Sequence, residues 1–156
     1  MNEKTKKMRS RTAKWFEVTV RYDRQAEDGA MKKVNEVYVV DALTFGEAEE
    51  TVTEDTATLS SGEFEVKKIN PATYHEIFFS DAAADDRWYK AKLMFIVLDE
   101  EKQKEKRSAV TYLVQAASVG GALKNIQEAM STTVSDYVIA NISETTIMDV
   151  LEHKAE

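Results

Sequence analysis

The sequence predicts an α+β fold in which a β-β-α-β-β unit occurs twice in tandem and forms an intramolecular pseudo-dimer. The strands are expected to form an antiparallel sheet, and each copy is expected to contain one helix. Three observations lead to this prediction. Apolar residues alternate with period two at the start of each copy, apolar residues recur with helical spacing further on, and the same order of blocks appears twice.

The blocks of the two copies align with nearly constant spacing. Trp15 corresponds to Trp88, 73 positions later, and Tyr38 corresponds to Tyr112, 74 positions later. The spacing changes only in connections, where loops tolerate insertions. We therefore divide the chain into a basic flexible arm (1–13), a first repeat (14–80), a linker (81–87) and a second repeat (88–153).

The first strand of each copy is predicted to turn one face toward the helix. The residues of these inner faces are Phe16, Val18, Val20 and Tyr22, and Tyr89, Ala91, Leu93 and Phe95. The charged stretches "DRQAEDGAMKK" and "DEEKQKEKR" then predict long exposed hairpin loops before the second strands. The strands of the two copies could join one continuous sheet or form two sheets packed face to face, and the sequence does not choose between these arrangements.

A helix follows the second strand in each copy. Thr44 and Glu47 have the spacing of a capping box, and Ser118 is expected to cap the second helix. Two apolar stripes are expected to pack on the sheets: Phe45, Ala48 and Val52, and Val119, Ala122, Leu123, Ile126 and Met130.

The last blocks of each copy predict further strands. "GEFEVKKI" is predicted to be a strand, Asn70-Pro71 a turn, and "TYHEIFFS" another strand. The corresponding block "SETTIMDVLE" could be a strand or a short helix capped by Ser143, and we predict a strand.

Composition excludes several classes of protein. The 156 residues carry a net charge of -7, are 43% hydrophobic and include no cysteine, which excludes disulfides, zinc–thiolate sites, iron–sulfur clusters and a cysteine nucleophile. No apolar stretch approaches the roughly 20 residues of a membrane helix or forms the core of a signal peptide, so a cytoplasmic protein is expected. The arm is read either as a solvated tail or as a segment that contacts an acidic partner or nucleic acid.

No catalytic or metal motif accompanies this composition. His75 lies beside Glu76, but neighbouring strand residues point to opposite faces, and His153 is expected to be inert. Asp81, Asp85 and Asp86 lack the spacing of a calcium loop. We therefore predict a protein that is not an enzyme and has no cofactor and no metal.

The candidate ligand or interface residues are tryptophans and basic residues on the outer faces of the two first strands. These residues are Trp15, Arg21, Trp88, Lys90 and Lys92. Burial against the other repeat or another subunit is one interpretation, because aromatic rings dominate such interfaces. Stacking of bases or nucleotides on rings flanked by cations is the other.

Stretches along nearly the whole chain also resemble a known family. They include "WFEVTVRYD", "YVVDALTFGEAE", "DRWYKAKLMFIVLDE" and "ETTIMDV". The family comprises short proteins catalogued as a domain of unknown function, from gut anaerobes and their phages or mobile elements. The resemblance implies a small protein that binds and sequesters something or accompanies DNA replication and recombination, and it assigns no functional residue.

The function predicted from these features is non-catalytic binding. We expect a homo-oligomeric protein that recognises a protein or a nucleotide-like small molecule and has no membrane partner. The alternative is an accessory single-stranded nucleic-acid-binding protein that uses the outer-face residues and the basic arm.

Overall fold

A computed structural model describes residues 14–56 and 63–152, so the predicted arm (1–13) and His153 lie outside the described residues. The described residues form two helices and two four-stranded sheets, a mixed α+β architecture. The elements in chain order are β1 (Lys14–Gln25), β2 (Met31–Ala42), α1 (Phe45–Thr56), β3 (Phe64–Ala72), β4 (Glu76–Phe78), β5 (Arg87–Asp99), β6 (Lys104–Ala116), α2 (Val119–Ala129), β7 (Asp136–Glu144) and β8 (Ile147–Leu151).

Each sheet contains three antiparallel strands and one parallel edge strand. The strand orders are β3-β1-β2-β8 and β4-β6-β5-β7. The short strand β8 pairs in parallel with β2, and β4 pairs in parallel with β6. The prediction of a purely antiparallel sheet is therefore wrong for one pairing in each sheet. These edge strands are not joined to their neighbours by tight hairpins, which would have required antiparallel pairing.

The compact units of the structure do not coincide with the two stretches of the sequence repeat. One unit comprises residues 14–72 and 146–152 of the described chain, and the other comprises Thr73–Thr145; we call them the first and second units. Each predicted repeat thus supplies its last short strand to the sheet of the other repeat. Sequence similarity reports the order of elements along the chain, whereas strand pairing decides which sheet each element joins.

The alternating apolar residues of β1 and β5 form the cores of the two units, as predicted. In the first unit Val18 and Val20 have no exposed surface and pack with Ala48 and Val52 of α1. In the second unit Ala91 and Leu93 pack in the same way with α2. Period-two alternation on a strand facing a helical stripe is what buries one face of each sheet.

The helix caps are formed as predicted. The backbone N–H of Glu47 donates to Thr44 Oγ1 at 3.1 Å, and that of Gly121 donates to Ser118 Oγ at 3.0 Å. Phe45 at the start of α1 is 52% exposed, and its ring meets the ring of Phe16 edge-on at 5.0 Å between centroids. Of the two predicted stripes, Ala48, Val52, Ala122 and Ile126 are fully buried, whereas Phe45, Val119 and Leu123 are exposed.

The two predicted hairpin loops are shorter than expected because the strands continue into them, and the β5–β6 connection is reduced to residues 100–103. The β1–β2 hairpin closes in a turn at residues 26–30, where the Gly29 N–H donates to the Ala26 carbonyl at 2.9 Å.

The predicted turn at Asn70-Pro71 is wrong, since β3 runs through both residues. The position suits proline because β3 is an edge strand, where a missing N–H breaks no sheet hydrogen bond.

The final block of the second copy is a strand, β8, rather than a short helix. The strand predicted in "TYHEIFFS" is reduced to the three residues of β4. Both strands carry buried apolar residues: Ile77 and Phe78 in β4, and Ile147 and Val150 in β8. These short strands are therefore bound by side-chain burial as well as by backbone pairing.

Candidate functional site

The two tryptophans of the predicted site are buried. Trp15 is 4% exposed and Trp88 is 2% exposed. The ring of Phe79 meets that of Trp88 edge-on at 5.5 Å, and the Trp88 carbonyl accepts from Thr145 Oγ1 at 2.8 Å. Neither indole presents a face to solvent, so the interpretation that bases stack on these rings disagrees with the structure.

The three basic residues of the predicted site belong to different units. Arg21 lies half-buried in the first unit, directly opposite Glu65 of β3. Lys90 lies in the second unit with its Nζ 5.8 Å from the centre of the Tyr74 ring. Lys92, also in the second unit, is exposed. Arg21 therefore lies in one unit, and Lys90 and Lys92 lie in the other.

The remaining candidates from the sequence have structural partners in the second unit. His75 is exposed, and its ring lies 5.3 Å from that of Tyr112. Asp85 accepts from Ser80 Oγ at 2.5 Å and from Asn125 Nδ2 at 3.4 Å, which ties the 80–86 loop to α2. No cluster of three potential metal ligands occurs within the described residues.

Glu36 is a carboxylate only 6% exposed, on the face of β2 that also carries the core residues Tyr38 and Val40. The hydroxyl groups of Tyr22 and Tyr38 donate to Glu36 Oε1 at 2.8 and 3.1 Å. Arg24 Nη1 lies 3.5 Å from Glu36 Oε2. A buried carboxylate is tolerated only when such donors and a cation surround it. We call these four residues the Glu36 cluster.

The cluster changes the acidity of both tyrosines. Burial raises the pKa of Tyr22, and the hydrogen bond and negative charge of Glu36 raise it further. The pKa of Tyr38 is also raised, first by burial and then by the charge of Glu36. Both phenols are therefore neutral at physiological pH and act as hydrogen-bond donors that hold the carboxylate in place.

Arg24 connects the cluster to an open groove at the hairpin end of the first unit. The groove encloses about 350 Å³ and is lined by Arg24, Gln25, Ala26, Glu27, Lys32 and Val34. Arg24 and Lys32 are direct cross-strand partners in the β1–β2 register. Two like charges opposite each other on a sheet are unfavourable unless something negative lies between them. Glu27 brings one carboxylate to the lining, which leaves a net charge of +1 on the lining residues.

The second unit has the same strand register but no such cluster. Tyr22 pairs with Val34 and Arg24 with Lys32 in β1–β2, whereas Phe95 pairs with Ser108 and Val97 with Lys106 in β5–β6. Position for position, Glu36 corresponds to Val110, which belongs to the apolar surroundings of the second core. The fold therefore does not require a carboxylate or an arginine at these positions.

Sequence reasoning passed over the Glu36 cluster. The available signal was the alternation Val34, Glu36, Tyr38, Val40, which places a carboxylate on the predicted inner face of β2. Alignment of the two copies would have strengthened this signal, because the residue that corresponds to Glu36 in the second copy is the apolar Val110.

A second groove on the first unit is less suited to an anion. It encloses about 280 Å³ between Arg21, Lys33, Glu63, Phe64 and Glu65. Lys33 is already within 3.3 Å of Asp23 and 3.9 Å of Glu63. Its cations are thus matched by carboxylates, whereas Lys32 has no ion pair within residues 14–56 and 63–152.

Comparisons with known proteins place the chain in a family. Across the described ranges, neither helix is long and apolar enough to cross a membrane. No curated protein matches the sequence. The family described as "Domain of unknown function (DUF4494)" matches residues 14–153 and so covers most of the chain. This protein belongs to that family, DUF4494.

Proposed function

We propose that this protein is a non-catalytic binding protein that recognises a small anionic, nucleotide-like ligand in the groove beside the Glu36 cluster. The observation that carries the proposal is the pairing of Arg24 and Lys32 across β1 and β2, with Arg24 held by a buried carboxylate. A guanidinium that contacts a buried carboxylate, together with a facing ammonium, suits a phosphate or carboxylate group.

The shape and lining of the groove support a small ligand. A volume of about 350 Å³ lies at the lower end of the range of small-molecule sites. Val34 supplies an apolar surface and Gln25 an amide, beside the two cations. An anionic group between Arg24 and Lys32 would leave the rest of the ligand against Val34.

Internal comparison of the two units favours a functional origin for the cluster. The same register positions of the second unit hold Phe95, Val97 and Val110, so a stable sheet forms without these polar groups. Replacing a buried charge together with its partners by apolar residues of similar volume is often neutral for stability. We infer that the first unit retains its polar groups because they position Arg24 for binding.

Direct titration tests the proposal. ATP, AMP and inorganic phosphate are titrated separately into the protein and followed by calorimetry. We expect at least one nucleotide to bind, and Arg24→Gln or Lys32→Gln to weaken it by ~10-fold or more, because each removes a charge-assisted hydrogen bond. Lys68→Gln is the matched control, since Lys68 is an exposed lysine of the same unit outside the groove.

A second variant separates binding from folding. The triple change Tyr22→Phe, Arg24→Val, Glu36→Val installs the residues that the second unit has in the same register. We expect it to retain its melting temperature within a few degrees and to lose nucleotide binding. Absence of binding to all three probes by the unmodified protein, or unchanged binding by the triple variant, would refute the proposal. Tight binding of a single-stranded oligonucleotide without binding of ATP would favour the nucleic-acid alternative.

We also propose that the two halves arose by tandem duplication. The registers of β1–β2 and β5–β6 coincide pair for pair, and the β1–β3 and β5–β7 ladders shift at matching places, Thr19/Val20 and Lys92/Leu93. These coincidences support a common ancestor for the halves beyond the order of their elements.

The wider context implied by the family resemblance remains part of the proposal. We propose a homo-oligomeric, cytoplasmic protein of phage or mobile-element type that sequesters its ligand. Light scattering coupled to size-exclusion chromatography measures the oligomeric state, and a monomer at micromolar concentration would contradict that part.

A further inference from the structure

We propose that the outer edge of β6 binds an acidic, extended polypeptide segment as an added β-strand. This binding surface lies in the second unit and is independent of the groove in the first. We call it the β6 edge, defined as residues 104–110.

The β6 edge is open to solvent along most of its length. On its outer side β6 pairs with β4 only from Tyr112 to Val114, and within the described residues no strand pairs with positions 104–110 on that side. The six residues from Lys104 to Ala109 are all exposed. Both faces and the outer edge of this segment are therefore accessible.

The backbone geometry identifies which groups face outward. The Thr111 carbonyl accepts from the His75 N–H at 2.7 Å, so the backbone groups of Thr111 point away from β5. In an antiparallel strand the N–H and C=O of one residue point to the same side, and this side alternates along the chain. Glu105, Arg107 and Ala109 therefore offer both groups at the edge, about 7 Å apart.

The charges of the β6 edge select an acidic partner. Lys104 and Lys106 project on one face, and Arg107 projects on the other beside Glu105. Opposite charges on adjacent strands stabilise pairing and like charges oppose it. A second copy of β6 would place basic side chains against one another, whereas a strand with Asp or Glu at alternate positions would place its carboxylates beside Lys104 and Lys106 on their shared face. Strand addition of this kind combines backbone hydrogen bonds with side-chain selection.

Lysines on an edge strand also discourage uncontrolled pairing between identical chains. That role and the proposed one agree, because the same charges that repel a second copy attract an acidic segment. The specificity then arises from charge and the affinity from the backbone.

A peptide titration tests the proposal. The probe is a fluorescein-labelled peptide, Glu-Val-Glu-Thr-Glu-Val-Glu, and its counterpart has lysine at the four glutamate positions. We expect the acidic peptide to bind at low salt at least 10-fold more tightly than the basic one. Lys106→Gln should weaken binding several-fold, an effect that shrinks as salt rises. Lys124→Gln, an exposed lysine on α2, is the charge-matched control.

Amide hydrogen exchange locates the bound peptide on the unmodified protein, without any substitution. Bound peptide should slow exchange at the outward amides of Glu105, Arg107 and Ala109, which face solvent in the free protein. The intervening amides at 106 and 108 point toward β5 and should change little.

Ala109→Pro removes an outward N–H and should reduce peptide affinity at least 10-fold while the circular dichroism spectrum is retained.

Three results would each overturn the proposal. They are absence of binding at low salt, equal binding of the acidic and basic peptides, and peptide protection that lies elsewhere than on the alternate amides. Because the groove residues Arg24 and Lys32 are unaltered in this experiment, failure here leaves the nucleotide titration unaffected.

Discussion

Glu36 illustrates how one charged residue can organise its neighbours. Its carboxylate is buried, and burial of a charge costs free energy unless hydrogen bonds and an opposite charge compensate. Tyr22 and Tyr38 provide the hydrogen bonds and Arg24 the charge. The arrangement leaves the remaining guanidinium donors of Arg24 available to the groove.

Replacement of Glu36 alone should be costly. Glu36→Gln removes the charge that two phenols and Arg24 share, and we expect it to lower the free energy of unfolding by about 2 kcal/mol, the scale of hydrogen bonds to a charged group. Urea denaturation at pH 7 measures this change. The control is Glu65→Gln, since Glu65 makes an exposed pair with Lys67; a loss of less than about 0.5 kcal/mol is expected there. Equal losses for both variants would contradict the prediction.

The tyrosines of the cluster should make stability sensitive to alkaline pH. Their pKa values are raised in the folded state, so the unfolded chain loses these protons first as pH rises. Their contribution is therefore complete below the ordinary tyrosine pKa of about 10 and decreases as pH rises toward the folded values. Urea denaturation between pH 8 and pH 11.5 should show a steeper decline for the unmodified protein than for Tyr22→Phe. Parallel declines would show that Tyr22 does not contribute.

At the scale of elements, β4 shows how a three-residue strand can be stable. Its Phe78 is 4% exposed and lies in the core of the second unit, 5.1 Å from the ring of Tyr112. Backbone pairing with Tyr112–Val114 adds hydrogen bonds. Burial of large side chains therefore compensates for the short ladder.

Truncation of Phe78 should destabilise the second unit strongly. Phe78→Ala leaves a cavity in a packed core, and we expect a loss of about 3–5 kcal/mol in the free energy of unfolding. Phe45→Ala is the matched control, because Phe45 is half exposed and its ring is in edge-on contact with that of Phe16; its cost should be about 1 kcal/mol. Thermal unfolding monitored by circular dichroism compares the two. A smaller effect at Phe78 than at Phe45 would show that β4 is not held by this ring.

Local signals in the sequence predicted most elements. The alternation in β1 and β5 and the caps at Thr44 and Ser118 depend on residues a few positions apart, so they can be read directly from the chain. The parallel pairing of β4 with β6 and of β8 with β2 depends on residues far apart in the chain. The few residues of β4 and β8 do not indicate whether the pairing is parallel or antiparallel. Glu36 was missed for a related reason: its donors lie on a neighbouring strand as well as on its own.

At the scale of the whole molecule, each half of the chain completes the sheet of the other. Strand β4 follows β3 in the chain and joins β6, and β8 follows β7 and joins β2. Such an exchange within one chain resembles the exchange of strands between subunits in domain-swapped dimers.

Separated halves should therefore recombine. We expect fragments 1–80 and 81–156, produced separately and mixed, to form a 1:1 complex with a higher melting temperature than either alone. Light scattering measures the stoichiometry, and circular dichroism measures the stability. A 1–80 fragment carrying Ile77→Ser and Phe78→Ser should combine weakly, since both residues are buried in the intact protein. Two fragments that each form a stable monomer would contradict the expectation.

The position of β8 also sets an order of events during synthesis. Strands β1, β2 and β3 are complete once residue 72 has been made, but the strand that covers the Val37–Val40 edge of β2 lies at Ile147–Leu151. At ribosomal speeds of about 5–20 residues per second, that edge stays uncovered for roughly 4–15 seconds after β3 is complete. The nascent chain must therefore carry an unfinished sheet until translation has nearly ended, and premature release of the chain would leave the edge of β2 open to other strands.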